Sequence, residues 1–315
     1  MSTLTITLLG KYRIMRNEVT LSELENGKAY ELLFYLLLHR DRQHPREVLA
    51  DLLWGDMSPT QSRKYLRQVL WRLQSVLAGK DDHDARGILV IQPDWLGINN
   101  SAEFSLDVAV LEDTFAAVNG VPGHALDADA VSRVERAIDV YRGDLLEDWY
   151  QDWCVRERER LQHLFLTLLT KLMEYRAGQG EFEAGIAHAR RLLLHDAANE
   201  RAHCGLMRMY YQSGDRTAAL RQYRRCAEIL MAELGVEPAG STTALYQAIR
   251  RDRDIAASDA PLSIDPIADS PLSQTVAQLQ ADLDGFRRRI DHLQRDLEML
   301  SPVRSDEGAH PVSPR

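Results

Sequence analysis

The sequence is short of the residues that staple or break a chain. Of its 315 residues, 3 are cysteine, 11 proline and 18 glycine. Cys154, Cys204 and Cys226 are odd in number and far apart, which excludes a disulfide framework and matches no metal-ligand spacing. Scarce glycine and proline favour a mainly helical chain. No apolar run approaches the roughly 20 residues that span a bilayer; the longest stretches are 32–38 and 164–169. The opening residues lack the basic segment of a secretory signal. The expected setting is the reducing cytoplasm, with no membrane partner.

Catalytic signatures are missing too. There is no glycine-rich loop ending in Gly-Lys-Ser/Thr, no Gly-x-Ser-x-Gly elbow and no His-x-x-x-His pair. His39 and His44 lie five apart around a loop and read as surface residues. Glu157 and Glu159 alternate with Arg156, Arg158 and Arg160 on what reads as a solvated helix face. The cysteines read as small core residues. The expectation is a protein that is not an enzyme, with no cofactor and no metal.

A further absence is local. The chain carries 38 Lys/Arg against 47 Asp/Glu, a net charge of −9. Residues 1–105 balance at 13 of each sign, and residues 106–315 hold 25 basic and 34 acidic side chains. Yet from Ser58 to Lys80 there are five basic residues and no acid. A basic stripe on a neutral segment is the footprint of nucleic-acid contact.

Order along the chain gives that stripe a context. Residues 4–9 alternate as a strand, 12–15 read as a second and 18–21 as a third. Residues 28–39 form a buried helix. Pro45 is expected at the first position of the next helix, with Val48, Leu49, Leu52 and Leu53 inward and Gly55 at its end. Ser58-Pro59 opens a third helix with Leu66, Val69, Leu70, Leu73 and Leu77 on one face, closed by Gly79. Residues 88–91 and 95–98 then make a hairpin around Pro93-Asp94. Three strands, three helices and a hairpin describe a winged helix-turn-helix.

Beyond residue 105 the pattern is helical, over 107–118, 128–141, 153–177, 182–195, 200–212, 216–234 and 241–251. Gly180-Glu181 recurs as Gly214-Asp215, Leu172 as Leu206, Ala184 as Ala218 and Arg190-Arg191 as Arg224-Arg225, all shifted by 34. That is the tetratricopeptide (TPR) period. Trp149, Trp153 and the leucines 161, 164, 168 and 172 are expected to pack this array onto the winged unit. Residues 253–273 lack periodicity and read as a flexible linker. In 274–300, Val276, Leu279, Leu283, Phe286, Ile290, Leu293, Leu297 and Leu300 step by 3 and 4 alternately, a heptad seam. It fits either a homodimer or a helix folded back on its own helical domain. Residues 301–315 read as a disordered tail. The fold class is therefore mainly α: a winged helix over 1–104, a TPR-like helical domain over 105–252 and a C-terminal coiled-coil-like helix.

With the apolar face of the third helix inward, Arg63, Lys64, Arg67, Gln68, Trp71 and Arg72 face outward or flank it. Arg and Gln present forked donors that match guanine and adenine edges, and Arg and Lys neutralise phosphates.

Certain runs carry a family resemblance. Leu49-Ala50-Asp51-Leu52-Leu53-Trp54-Gly55-Asp56, Ser58-Pro59 and the Leu66, Leu70, Arg72-Leu73, Leu77 series resemble the OmpR-like winged helix of SARP-type bacterial activators. Phe104, Asp107, Phe115, Tyr141-Arg142-Gly143-Asp144-Leu145-Leu146, Trp153, Arg158, Arg160-Leu161 and Glu233-Leu234-Gly235-Val236-Glu237-Pro238 resemble the bacterial transcriptional activator domain (BTAD) of that family. The resemblance implies a sequence-specific activator that binds direct repeats in double-stranded DNA as side-by-side protomers and recruits RNA polymerase. By position it places DNA contacts on Lys64, Arg67, Gln68, Trp71 and Arg72, with Arg46 and Arg63 as phosphate contacts. Gln74 stands where the family carries a basic residue, and Asp94-Trp95 where its wing carries Gly-Tyr, so operator sequence and wing contacts differ from the usual pattern. A different reading is a TPR-like adaptor whose winged helix contacts protein instead.

Overall fold

The computed structural model describes residues 4–21, 27–78 and 87–252. The expected linker, heptad segment and tail lie outside the described residues, as does Gly79.

The chain opens with β1 (Leu4–Thr7), β2 (Arg13–Arg16) and β3 (Val19–Thr20). β1 and β2 pair antiparallel, Leu4 opposite Arg16 and Thr7 opposite Arg13. Asn17 and Glu18 turn the chain into β3 with φ of 48° and 66°, the left-handed pair of a tight hairpin turn. Helix α1 (Gly27–Leu38) is buried along most of its length, and its buried Glu31 pairs with Lys28 at 2.9 Å. Next come β4 (His44–Pro45), α2 (Arg46–Trp54), α3 (Pro59–Ala78), β5 (Leu89–Ile91) and β6 (Trp95–Ile98). The helix–turn–helix followed by a hairpin is the order the sequence implies.

Three details differ from the sequence reading. Pro45 ends β4 and precedes α2 instead of opening it, because its neighbour His44 pairs with Leu96 and draws both residues into a sheet of order β4-β6-β5. Val48 and Leu52 are 53% and 39% exposed, since α2 buries the Leu49, Ala50 and Leu53 side. His44 is buried, not a surface residue. Its ring lies 5.3 Å from that of Tyr35 and its Nε2 is 3.2 Å from the His39 carbonyl. Burial holds both histidines below the ordinary imidazole range.

After the hairpin, β7 (Phe104–Leu106) pairs parallel to β1 and completes a second sheet of order β3-β2-β1-β7. The sheet therefore runs through residues 104–106 directly into α4 (Asp107–Val118). Then follow α5 (Ala128–Val140), α6 (Asp152–Gly178), α7 (Phe182–His195), α8 (Glu200–Gln212), α9 (Arg216–Leu234) and α10 (Gly240–Arg250). From α6 onward each helix packs on the next. The 34-residue recurrence is visible in the turns. Gly180 and Gly214 take φ of 75° and 87° after α6 and α8. Their amides donate to Ala177 and Tyr211, and the following amides of Glu181 and Asp215 donate to Arg176 and Tyr210. All three cysteines are buried thiols.

A seam fastens the N-terminal elements to the helices. The Asp107 carboxylate accepts the amides of Leu8 (2.8 and 3.0 Å) and Leu9 (2.8 Å), and that of Val108 (2.8 Å). Leu146 donates to the Leu8 carbonyl and Gly10 to that of Asp144. Gly10 and Gly143 sit so close that a Cβ on Gly143 would stand 3.1 Å from the Gly10 Cα. From α6, Arg158 donates to the carbonyls of Leu145 (2.9 Å), Leu146 (2.7 Å) and Trp149 (2.9 Å). Trp149 lies edge-on to Phe34 at 5.4 Å and Trp153 to Tyr35 at 5.7 Å, so both tryptophans pack where the sequence places them.

Burial pushes the Asp107 carboxyl up to about 6, against the opposing pull of the Leu9, Leu8 and Val108 amides. Unfolded, the group titrates near 3.8. The folded chain thus holds the proton more tightly, and this contribution to stability is full at low pH and lost as pH rises through about 6. In urea unfolding, the stability gap between wild type and Asp107→Asn should widen on acidification from neutral pH to below 4, by up to about 3 kcal/mol. A gap that narrows instead would show that the fold prefers the ionised carboxylate.

Candidate nucleic-acid interface

Helix α3 starts at Pro59, whose missing N–H costs nothing at a first helical position. The Ser62 hydroxyl donates to the Trp54 carbonyl at 3.1 Å, closing the turn from α2. At the other end, an Arg16 Nη2 from β2 donates to the Leu77 carbonyl, satisfying an otherwise unpaired helix terminus. The inner face is Leu66, Val69, Leu70, Leu73 and Leu77, all buried. Arg63, Lys64, Arg67, Gln68, Trp71 and Arg72 are all exposed, as the pattern implies.

Lys64, Arg67, Gln68, Trp71 and Arg72 fall at helical spacings of 3 and 4, and together line one open concavity of about 540 Å³. Trp71 is 70% exposed, a large apolar ring left in water beside three cations. Gln68 and Arg72 also border a second groove of about 230 Å³, walled by Lys28, Trp54, Met57, Tyr65 and Val69. This surface combines forked donors, positive charge and an unburied aromatic ring without an acid among its lining residues.

The two phosphate candidates are held differently. Arg63 forms an ion pair with Glu47 of α2, and both side chains are well exposed. Arg46 reaches the wing. Its backbone amide donates to the Asp94 carbonyl at 2.9 Å, and its guanidinium to those of Gln92 (3.3 Å) and Pro93 (3.4 Å). Arg46 therefore ties the hairpin tip to the start of α2 and does not join the α3 concavity. Sequence reasoning missed Arg16, which caps α3, and Glu47, which restrains Arg63. Neither carries a local signal, because each meets its partner only through tertiary folding. Trp95, 44% exposed beside the hairpin tip, is the wing's prominent apolar residue.

Among the described residues no cluster of His, Cys, Asp or Glu could hold a metal ion. No described helix is long and apolar enough to cross a membrane.

The bacterial transcriptional activator domain model matches residues 106–250. The chain is a SARP/BTAD-type protein. Over 302 residues it is 26% identical to the regulatory protein AfsR of Streptomyces coelicolor, an alignment covering 96% of this chain and 29% of AfsR. Over 227 residues it is 28% identical to the transcriptional regulatory protein MoaR1 of Mycobacterium tuberculosis, covering 71% of this chain and 72% of MoaR1. Its fold matches that of Mycobacterium tuberculosis EmbR, solved in complex with a low-affinity phosphopeptide, with a TM-score of 0.69 at 22% identity over 89% of this chain and 72% of EmbR. The chain thus spans less than a third of AfsR and nearly three quarters of MoaR1. The relatives are named as regulators, not as enzymes.

The two sides of α3 in this SARP/BTAD-type chain separate fold from contact. Leu73→Ala, at a fully buried site, should cost about 2–5 kcal/mol in chemical denaturation. Trp71→Ala, at an exposed site, should change stability by less than about 0.5 kcal/mol. A large loss for Trp71→Ala would mean that its ring is part of the core.

Proposed function

We propose that this chain is a cytoplasmic transcriptional activator that reads promoter DNA with α3 and recruits RNA polymerase. The observation that carries the reading is the acid-free concavity of Lys64, Arg67, Gln68, Trp71 and Arg72. Residues 1–104 act as the winged-helix DNA-binding part and residues 105–252 as the TPR-like helical part, with β7 shared at their junction. Arg67, Gln68 and Arg72 supply planar donors for base edges in the major groove, and Lys64 supplies phosphate charge. Arg63 reaches phosphate once it exchanges Glu47 for a stronger anion, and Arg46 contributes by fixing the wing. The exposed Val48, Leu52 and Met57 form an apolar patch on the α2 side of the turn, suited to a protein contact such as RNA polymerase. The family match over 106–250 and the regulator names of the relatives support this reading. A TPR-like adaptor would use the same helical part without DNA.

A duplex titration against salt separates the two. DNA binding should weaken steeply as salt rises, because phosphate contacts release counterions. Lys64→Ala should weaken all sequences alike and flatten that dependence by about one counterion, while Arg67→Ala or Gln68→Ala should cost about 1–3 kcal/mol and relax preference at one base pair. If the Arg67, Gln68 and Arg72 alanine variants all bind as wild type does, α3 is not the reading element.

The heptad segment at 274–300 supplies a dimer contact in this reading. A 3.5-residue period makes a narrow seam suited to a second copy, and joining two DNA-binding units raises the effective concentration of the second. Leu283→Asp with Ile290→Asp should turn dimer into monomer in sedimentation and loosen two-site binding while single-site binding holds. A wild type that sediments as a monomer at tens of micromolar would make the segment an intramolecular clasp.

A further inference from the structure

Charge is segregated along the helical part of the chain. Residues 103–152 carry 12 Asp/Glu and 3 Arg, whereas residues 186–225 carry 8 Arg and 3 Asp/Glu. Most of the second group is engaged locally. Arg201 pairs with Glu174, Arg190 meets the Tyr210 hydroxyl, Arg191 donates to the carbonyls of Ile138 and Tyr141, and Arg216 to that of Ile249. What remains is one face of α9. Arg221, Arg224 and Arg225 are exposed, away from the buried Ala219, Gln222, Cys226 and Leu230, and make no ion pair or side-chain hydrogen bond among the described residues.

The unmatched acids lie elsewhere. Glu147, Asp148 and Asp152 are exposed in the turn before α6 and at its start, with no ion pair among the described residues. Between them stands Tyr150, 78% exposed, while its neighbour Trp149 is anchored on Phe34. The two surfaces of one copy are far apart. The acidic turn sits at the start of α6, a helix of 27 residues and so about 40 Å long. α9 instead packs on α8 and α10, beyond the α6–α7 pair.

We propose that these surfaces are the two halves of a head-to-tail contact: the α9 arginine face of one copy docks on the 147–152 turn of the next. A two-fold contact at either surface would set like charges against each other, whereas a head-to-tail contact sets Arg221, Arg224 and Arg225 against Glu147, Asp148 and Asp152. Tyr150 provides the rigid aromatic anchor that such contacts use, with arginine as its natural partner. Head-to-tail copies share one orientation, which is the arrangement direct repeats in DNA demand. The role on DNA rests on the function proposed above; the association itself does not. Because the contact is charged and exposed, it is weak in free solution and strengthens when neighbouring DNA sites raise the local concentration.

Two full-length variants test this: Arg221→Glu with Arg224→Glu, and Glu147→Arg with Asp148→Arg. Each is compared with wild type on one-repeat and two-repeat duplexes, and by sedimentation equilibrium without DNA at low ionic strength. Each variant alone should lose cooperativity on two repeats by about tenfold or more and lose self-association, while one-repeat affinity stays within about twofold. Mixed together, the variants should regain association as heterodimers, because the intact α9 face of one meets the intact turn of the other. Unchanged cooperativity in both variants would assign association to another contact and overturn the proposal. Equal losses on one- and two-repeat duplexes in the arginine variant would place those side chains on phosphates instead. Failure of the mixture to associate where wild type does would likewise overturn it. If no duplex is bound at all, the DNA reading fails, and the sedimentation arm still decides the contact.

Discussion

Two backbone amides at the end of β1, those of Leu8 and Leu9, lie past the strand's last residue and find the buried Asp107 carboxylate instead of a β-ladder partner. An unpaired buried N–H costs about as much as a lost hydrogen bond, so the two elements are obliged to meet. Asp107 is also the first residue of α4, where the helix dipole favours negative charge. One side chain therefore ends a strand, starts a helix and fixes the direction in which the helical part leaves the sheet. Leu8 and Gly10 then pair with Leu146 and Asp144, and Arg158 holds the same turn by its carbonyls. The seam is a closed set of backbone groups with three side-chain anchors.

The position of α3 follows from that seam by short steps. Helix α1 is clamped between the sheet and the 141–151 turn, with Phe34 against Trp149 and Tyr35 against Trp153. β2 carries Arg16 to the end of α3, and Arg46 carries the wing to the start of α2. The concavity on α3 is thus presented by a framework whose contacts come from the helical part as well as from the N-terminal residues. Any contact the helical domain makes with a partner is transmitted to the reading helix through packed groups rather than through a loose tether.

The helices were legible in the sequence because amphipathic periodicity and turn residues act locally. The α7 boundaries coincide with the sequence reading at Phe182 and His195, and the repeat glycines 180 and 214 take the left-handed turns that their spacing implies. The outward set on α3 was legible for the same reason. What the sequence hid is whatever a distant segment decides. β4 and β7 are strands of two and three residues that exist only because β6 and β1 accept them. Periodicity showed that Val48 and Leu52 are apolar, but not that nothing covers them. The basic character of Arg46 and Arg63 was plain, yet their engagement by the hairpin carbonyls and by Glu47 arises across turns that no spacing rule reports.

A net charge of −9 looks unfavourable for a protein that approaches DNA. The distance over which charge acts removes the conflict. At physiological salt the screening length is about 8 Å, so acids several side chains away do little to the potential in the α3 concavity. What counts is the sign of the groups that line it, and among Lys64, Arg67, Gln68, Trp71 and Arg72 none is acidic. The remaining acid is then free to serve other ends: buried at Asp107, paired at Glu112 with Arg40 and Arg160, and unmatched in the 147–152 turn. An acidic whole with a locally basic reading face also disfavours indiscriminate binding, because an approach to DNA in any orientation that brings the 147–152 turn forward meets repulsion. Segregated charge thus acts as orientation control, favouring the approach in which α3 leads.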